Sequence, residues 1–137
     1  MSFGLGEAAR SKSEARISMD GFVDELNQAF LTVDLGNGPI DFQIDTGFSG
    51  AFLIGEEVFD LEHAVETEVV EAVLAADNSQ TFQGYELVIQ WLAEETLVPI
   101  LVGPGKDFLI GNAMLNPHRL EIDFGPRTVR LIENGNW

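Results

Sequence analysis

Cysteine is absent from this chain of 137 residues, and basic residues are scarce. The lack of cysteine excludes disulfide bonds, thiolate metal sites and cysteine nucleophiles. Seven basic residues stand against 23 acidic ones, which gives a formal net charge of -16. A surface this acidic repels nucleic acid and anionic lipid, so we expect neither as a partner.

Long apolar runs are also missing. The best apolar stretch, residues 96–102, is far too short to span a bilayer. Residues 2–16 are mostly small and charged, without the apolar segment of a signal peptide. We therefore expect a cytoplasmic protein with no membrane association.

The first 19 residues differ in composition from the rest of the chain. They are rich in Ser, Ala, Gly and Arg and show little periodicity, which predicts a loose N-terminal arm. Residues 20–137 are predicted to form a single domain, for which the hydrophobic content of 45% allows a small core.

Within that domain, β patterns dominate. Residues 29–35 and 40–44 alternate between apolar and polar around a Gly-Asn-Gly-Pro turn, which predicts a hairpin. Residues 69–76 and 81–91 predict a second, longer hairpin. Further strands are predicted at 51–54, 98–102, 108–110, 119–124 and 128–132, and short helices at 55–64 and 113–115. The fold class is therefore mainly β.

The segment that carries chemistry follows the strand at 40–44. Asp45, Thr46 and Gly47 place a carboxylate, a small hydroxyl and a glycine in succession, and Phe48 and Ser49 come next. The triplet alone is equally compatible with an ordinary polar turn, because such turns favour the same residue types.

The order of elements around the triplet is more specific. From about residue 21 to 131 the chain resembles the single-domain, prokaryotic type of retropepsin-like aspartic proteases. That family has a first hairpin, an Asp-Thr-Gly loop, a flap hairpin, an apolar pair followed by glycine, a short helix and a closing hairpin. The matching segments here are residues 22–44, 45–47, 69–91, 109–111, 112–115 and 119–132. The resemblance implies a closed β-barrel domain that works as a homodimer.

The resemblance also implies roles for individual residues. Asp45 would be the catalytic carboxylate, Thr46 would bond across the dimer axis, and Gly47 would offer its N–H to the carboxylate. Phe48 and Ser49 would contact substrate, with Ser49 also able to bond the outer carboxylate oxygen. The flap tip would add the substrate-binding residues Ala76, Asp77, Asn78 and Ser79, and the supporting residues Leu109, Ile110 and Gly111 would pack under the loop.

The chain also departs from the retroviral members of the family. Asn112 stands where those members carry an arginine that braces the dimer. Phe48 replaces their Ala or Ser, and the expected flap tip lacks their glycines.

A chain with one Asp-Thr-Gly triplet can supply only half of an aspartate dyad. Two such carboxylates at a two-fold axis would share one proton, activate a water and polarise the peptide carbonyl, with no cofactor or metal. The predicted function is therefore an aspartic endopeptidase that acts on extended peptide or protein substrates.

Two other functions remain open at this stage. A dimeric module of the same fold could bind or scaffold peptides without hydrolysing them. A third interpretation is an acidic partner protein whose arm, residues 2–16, docks elsewhere.

Overall fold

The computed structural model describes residues 16–73 and 79–134, which form ten strands and one short helix. The mainly β fold class is therefore confirmed. The elements are β1 (Ser18–Val23), β2 (Ala29–Asp34), β3 (Pro39–Ile44), β4 (Phe52–Gly55), β5 (Val65–Val73), β6 (Ser79–Trp91), β7 (Glu94–Gly103), β8 (Phe108–Ile110), α1 (Asn112–Leu115), β9 (Arg119–Asp123) and β10 (Thr128–Ile132).

All ten strands belong to one sheet, in the order β5-β6-β7-β4-β8-β3-β2-β1-β10-β9. Most neighbours are antiparallel, but β3 pairs parallel with β8 and β4 pairs parallel with β7. These parallel pairs bring segments from the two halves of the chain side by side at the centre of the sheet.

The predicted closed barrel is wrong, because the sheet is open among the described residues. Its edge strands β5 and β9 each have one neighbour and do not pair with each other. Both edges carry exposed charges, which suit solvent and disfavour further pairing. The charged residues are Glu66, Glu68 and Glu71 on β5, and Arg119, Glu121 and Asp123 on β9.

The core lies against the middle of the sheet. Phe42 of β3 and Phe52 of β4 are fully buried, with ring centroids 5.0 Å apart, and Trp91 meets Phe52 edge-on at 6.3 Å. Trp91 is thus a packing residue of the core. Every strand except β5 and β9 contributes to this buried cluster. Strands β1, β3 and β8 contribute one residue each, the other strands contribute two or more, and α1 contributes Met114 and Leu115.

The predicted helix at residues 55–64 is absent, and turns take its place. The backbone there is committed to a neighbouring loop: the Glu56 N–H donates to Gly103 O at 2.6 Å and the Glu57 N–H to Gly105 O at 3.1 Å. Val58 and Leu61 still pack against the core, which explains their apolar spacing without a helix.

The predicted arm lies mostly outside the described residues, which begin at Arg16. Strand β1 begins at Ser18, so the last two residues assigned to the arm pair with β10. Across residues 16–73 and 79–134, no helix has the length and apolarity needed to cross a membrane.

Candidate active site

Asp45 is the first residue after β3, and the pairing of β3 in the sheet fixes the position of its backbone. Ile44 pairs with Ile110 in the parallel β3–β8 ladder, and the Asp45 N–H donates to Ile110 O at 3.0 Å. Ile110 is fully buried. The backbone that carries the candidate carboxylate is therefore an extension of the centre of the sheet.

The half-buried Asp45 carboxylate accepts one local hydrogen bond, from the Gly47 N–H to Oδ1 at 3.0 Å. This bond alone does not single out a catalytic loop. Asp24, Asp34 and Asp123 make the same bond to the N–H two residues ahead, at 2.7 to 3.2 Å. It is the ordinary turn chemistry of aspartate.

The number of bonds to a distant segment distinguishes the Asp45 loop. The Asp24 turn is also bonded to distant Arg127, and the Asp34 turn to Asp60 through Asn37, but each by fewer bonds. The Asn112 N–H donates to Phe48 O at 2.9 Å, and the Ala113 N–H donates to Gly50 O at 3.1 Å. The Gly111 N–H adds a bond to Ala51 O at 2.9 Å. The loop is thereby tied along its length to the start of α1, which restricts the positions that the carboxylate can take.

A side chain completes this attachment. Asn112 Nδ2 donates to the carbonyl oxygen of Thr46 at 2.7 Å, across a separation of 66 residues. In the sequence, Asn112 stood out only as a departure from the arginine of the retroviral members. Its contact with Thr46 was missed, because nothing in the sequence pattern places an exposed asparagine beside a particular carbonyl.

Glycine is required where the loop meets α1. A Cβ at Gly111 would lie 2.4 Å from Phe48 O and 2.5 Å from Gly50 O, far inside contact distance. The Phe48 ring occupies the space beside Gly50, where an added Cβ would meet Cζ at 2.6 Å. Phe48 thus packs on its own loop. Its contact with substrate stays a prediction.

Three other predicted site residues lie at or near the surface or on a neighbouring strand. Thr46 and Ser49 are exposed, and within the described residues no hydrogen bond joins the Ser49 side chain to Asp45. Leu109 is half-buried on β8, opposite Gln43 and Leu53.

The predicted flap is the β5–β6 hairpin. Of its predicted substrate-binding residues, Ser79 is exposed at the start of β6. Ala76, Asp77 and Asn78 lie outside the described residues.

The two histidines lie apart from this loop in the chain and in their contacts. His63 is exposed in a turn beside Asp60 and Leu61. His118 is half-buried, and its Nδ1 accepts the Asn134 N–H at 3.1 Å. Burial lowers the pKa of His118 from its ordinary value of 6.5, against the opposing effect of two nearby glutamates. Among the described residues, no group of three or more metal-ligating side chains is close enough to hold an ion.

Of the comparisons with known proteins, the one with solved structures found a match. No family model matches the chain, and no curated protein matches its sequence. Among solved structures, a retropepsin-like aspartic protease from Rickettsia conorii matches with a TM-score of 0.54 and 20% sequence identity. The match covers 84% of this chain and 90% of that chain. The chain therefore shares the fold of a retropepsin-like aspartic protease.

Proposed function

We propose that this protein is an aspartic endopeptidase whose active site forms when two copies bring their Asp45 side chains together. The observation that carries the proposal is the fixed Asp45 loop. Three backbone N–H bonds and one side-chain bond from Gly111, Asn112 and Ala113 hold that loop, more than the remote bonds of the ordinary turns at Asp24 and Asp34. The fold shared with a known aspartic protease supports the same conclusion.

The chemistry follows from two carboxyl groups at close range. Like charges so near each other do not both ionise, so one proton is shared between them. The ionised member takes a proton from water as the water attacks the peptide carbonyl, and the protonated member donates to the carbonyl oxygen, which gives a gem-diol. The C–N bond of the gem-diol then breaks: the leaving nitrogen takes the proton held by the first carboxyl group, and one diol hydroxyl returns its proton to the second. No cofactor is needed for these steps.

A second copy is needed because no other carboxylate in the described chain has a comparable setting. Asp34 and Asp123 accept N–H bonds within their own exposed turns, and Asp41 accepts the hydroxyl of Thr32 at 2.8 Å. The sequence contains one Asp-Thr-Gly triplet. A two-fold dimer supplies the missing partner, and the exposed Thr46 is available to bond across its axis.

The β5–β6 hairpin is proposed as the flap that closes over substrate. An extended peptide or protein segment would lie between the flap and the paired Asp45 loops. The proposed location is the cytoplasm.

The deciding experiment compares wild type with Asp45→Asn. The amide keeps an oxygen that can accept the Gly47 N–H, so the fold and the dimer are expected to persist. Cleavage of a peptide library, read by mass spectrometry across pH, should fall at least about 1,000-fold, because the dyad has lost its base. Wild type should show a bell-shaped pH profile.

Asp123→Asn is the matched control, because Asp123 makes the same local bond, to Gly125, at 3.2 Å. Its activity should equal that of wild type. Sedimentation of both variants should show the same dimer. Full cleavage by Asp45→Asn would refute the proposal, and so would peptide binding without hydrolysis by both wild type and Asp45→Asn.

A further inference from the structure

Asn112 and Asp45 bind opposite ends of one peptide unit. Asn112 Nδ2 donates to the carbonyl oxygen of Thr46 at 2.7 Å, and the Gly47 N–H donates to Asp45 Oδ1 at 3.0 Å. The Thr46 carbonyl and the Gly47 N–H belong to the same planar peptide bond, so their directions are fixed relative to each other. A bond that holds the carbonyl therefore also aims the N–H.

We propose that Asn112 is a positioning residue for the Asp45 carboxylate and acts through the Thr46–Gly47 peptide. This inference rests on the proposed function for its catalytic meaning. An amide whose carbonyl accepts a hydrogen bond is polarised and becomes a stronger N–H donor. A stronger donor holds Asp45 Oδ1 more firmly in the orientation that the loop imposes, and proton transfer from water depends on that orientation.

The amide of asparagine suits this position because it supplies a donor without a charge. Its carbonyl oxygen could not face the Thr46 carbonyl, since both are acceptors, so the NH₂ group must face Thr46. The backbone N–H of Asn112 also donates to Phe48 O at 2.9 Å, which fixes the point from which the side chain reaches. Both ends of Asn112 thus act on the same loop.

The side-chain bond is exposed and competes with water, so its effect on overall stability is small. Its distinctive effect is on the direction and strength of the Gly47 N–H. A readout that follows the Gly47 N–H itself, together with the separate effects on kcat and KM, therefore separates positioning from mere structural support.

The test follows the Gly47 amide by NMR at constant pH, in wild type, Asn112→Ala and the near-isosteric Asn112→Leu. The hydrogen-exchange rate of the Gly47 N–H should rise about threefold in both variants, because the weaker donor is released more readily. The value of kcat/KM should fall about fivefold, mainly through kcat.

Asn37→Ala is the matched control. The Asn37 side chain also donates to a backbone carbonyl, that of Asp60 at 2.9 Å, and it lines a different part of the surface. Its Gly47 exchange rate should equal that of wild type. An unchanged exchange rate in both Asn112 variants would overturn the proposal, as would an equal rise in Asn37→Ala.

The two proposals fail separately. If wild type hydrolyses no peptide, the proposed function fails, yet the Gly47 exchange rate still decides whether Asn112 acts on the Gly47 N–H that binds Asp45. If Asp45→Asn is inactive and the Asn112 variants keep the wild-type exchange rate, the enzyme stands and the positioning role does not.

Discussion

Gly111→Ala should destabilise the protein more than a glycine-to-alanine change at Gly47 or Gly50 in the Asp45 loop. The new Cβ would lie 2.4 Å from Phe48 O and 2.5 Å from Gly50 O. Both oxygens belong to the backbone and already accept bonds from α1, so they cannot retreat freely. Overpacking costs about 1–3 kcal/mol, and the loss of one backbone bond adds roughly 1 kcal/mol. The expected loss of unfolding free energy is about 2–4 kcal/mol.

Urea unfolding measures this loss directly, provided that the slope of unfolding free energy against urea concentration is the same in both proteins. Gly125→Ala is the control, because its Cβ would meet only Asp123 Oδ1, at an ordinary 3.5 Å. That variant should stay within about 0.5 kcal/mol of wild type. If Gly111→Ala were as stable as Gly125→Ala, the close approach of α1 to the loop would be wrong.

Gly50→Ala provides a second comparison with a different obstacle. Its Cβ would meet the tip of the Phe48 ring, at 2.6 Å from Cζ and 2.8 Å from Cε1. Phe48→Ala removes that ring but leaves the Phe48 carbonyl in place. A Cβ at Gly111 would also meet Phe48 Cδ2 at 2.6 Å, besides the two oxygens. A double-mutant cycle should therefore show that Phe48→Ala relieves most of the loss in Gly50→Ala but only part of the loss in Gly111→Ala. Equal relief of both would contradict the assignment of the clash to backbone oxygens.

Two further predictions concern pH and the core. His118 has a lowered pKa, so the unfolded chain takes up its proton at higher pH. The stability that depends on neutral His118 should be full above pH 6.5 and decrease as pH falls towards the lowered value. Unfolding measured against pH should show wild type losing stability relative to His118→Gln below pH 6.5, and parallel curves would contradict this. Phe42→Ala should cost about 3–5 kcal/mol in urea unfolding, because Phe42 is fully buried against Phe52. Phe22→Ala is the control, because Phe22 is 36% exposed and is stacked on Phe30, so its loss should be about 1 kcal/mol. Equal losses of unfolding free energy in the two variants would argue against this core.

The sequence located the strands that alternate cleanly and end in recognisable turns. The β2–β3 hairpin and β10 fall within a residue or two of their predicted bounds, because glycine and proline mark their turns. Strand β1 was not located from alternation. It is stabilised by pairing with β10, more than 100 residues later, and local patterns cannot reveal such a partner.

The turn between β6 and β7 was missed for a different reason. Leu92 and Ala93 adopt positive φ angles of 48° and 70°, a conformation that normally favours glycine or asparagine. Leu92 is nevertheless buried, so packing of its side chain offsets the backbone cost. Because turn rules describe the backbone alone, they gave no sign that β7 begins at Glu94.

At the candidate site, the sequence predicted which residues form the loop but could not predict what fixes it. Gly111 was expected beneath the loop, and its N–H and missing side chain place it there. The bond from Asn112 to Thr46 depends on the register between two segments 66 residues apart. Only the folded sheet establishes that register.

The recurrence of one aspartate turn at four places has a consequence for recognising reactive groups in folded proteins. Asp24, Asp34, Asp45 and Asp123 share the same local backbone bond. The proposed function makes Asp45 the reactive one of the four, and on that proposal the local shape around a carboxylate is a poor guide to reactivity. What sets the Asp45 loop apart is the larger number of hydrogen bonds from a remote segment, so a search for similar sites should require those bonds as well as the triplet.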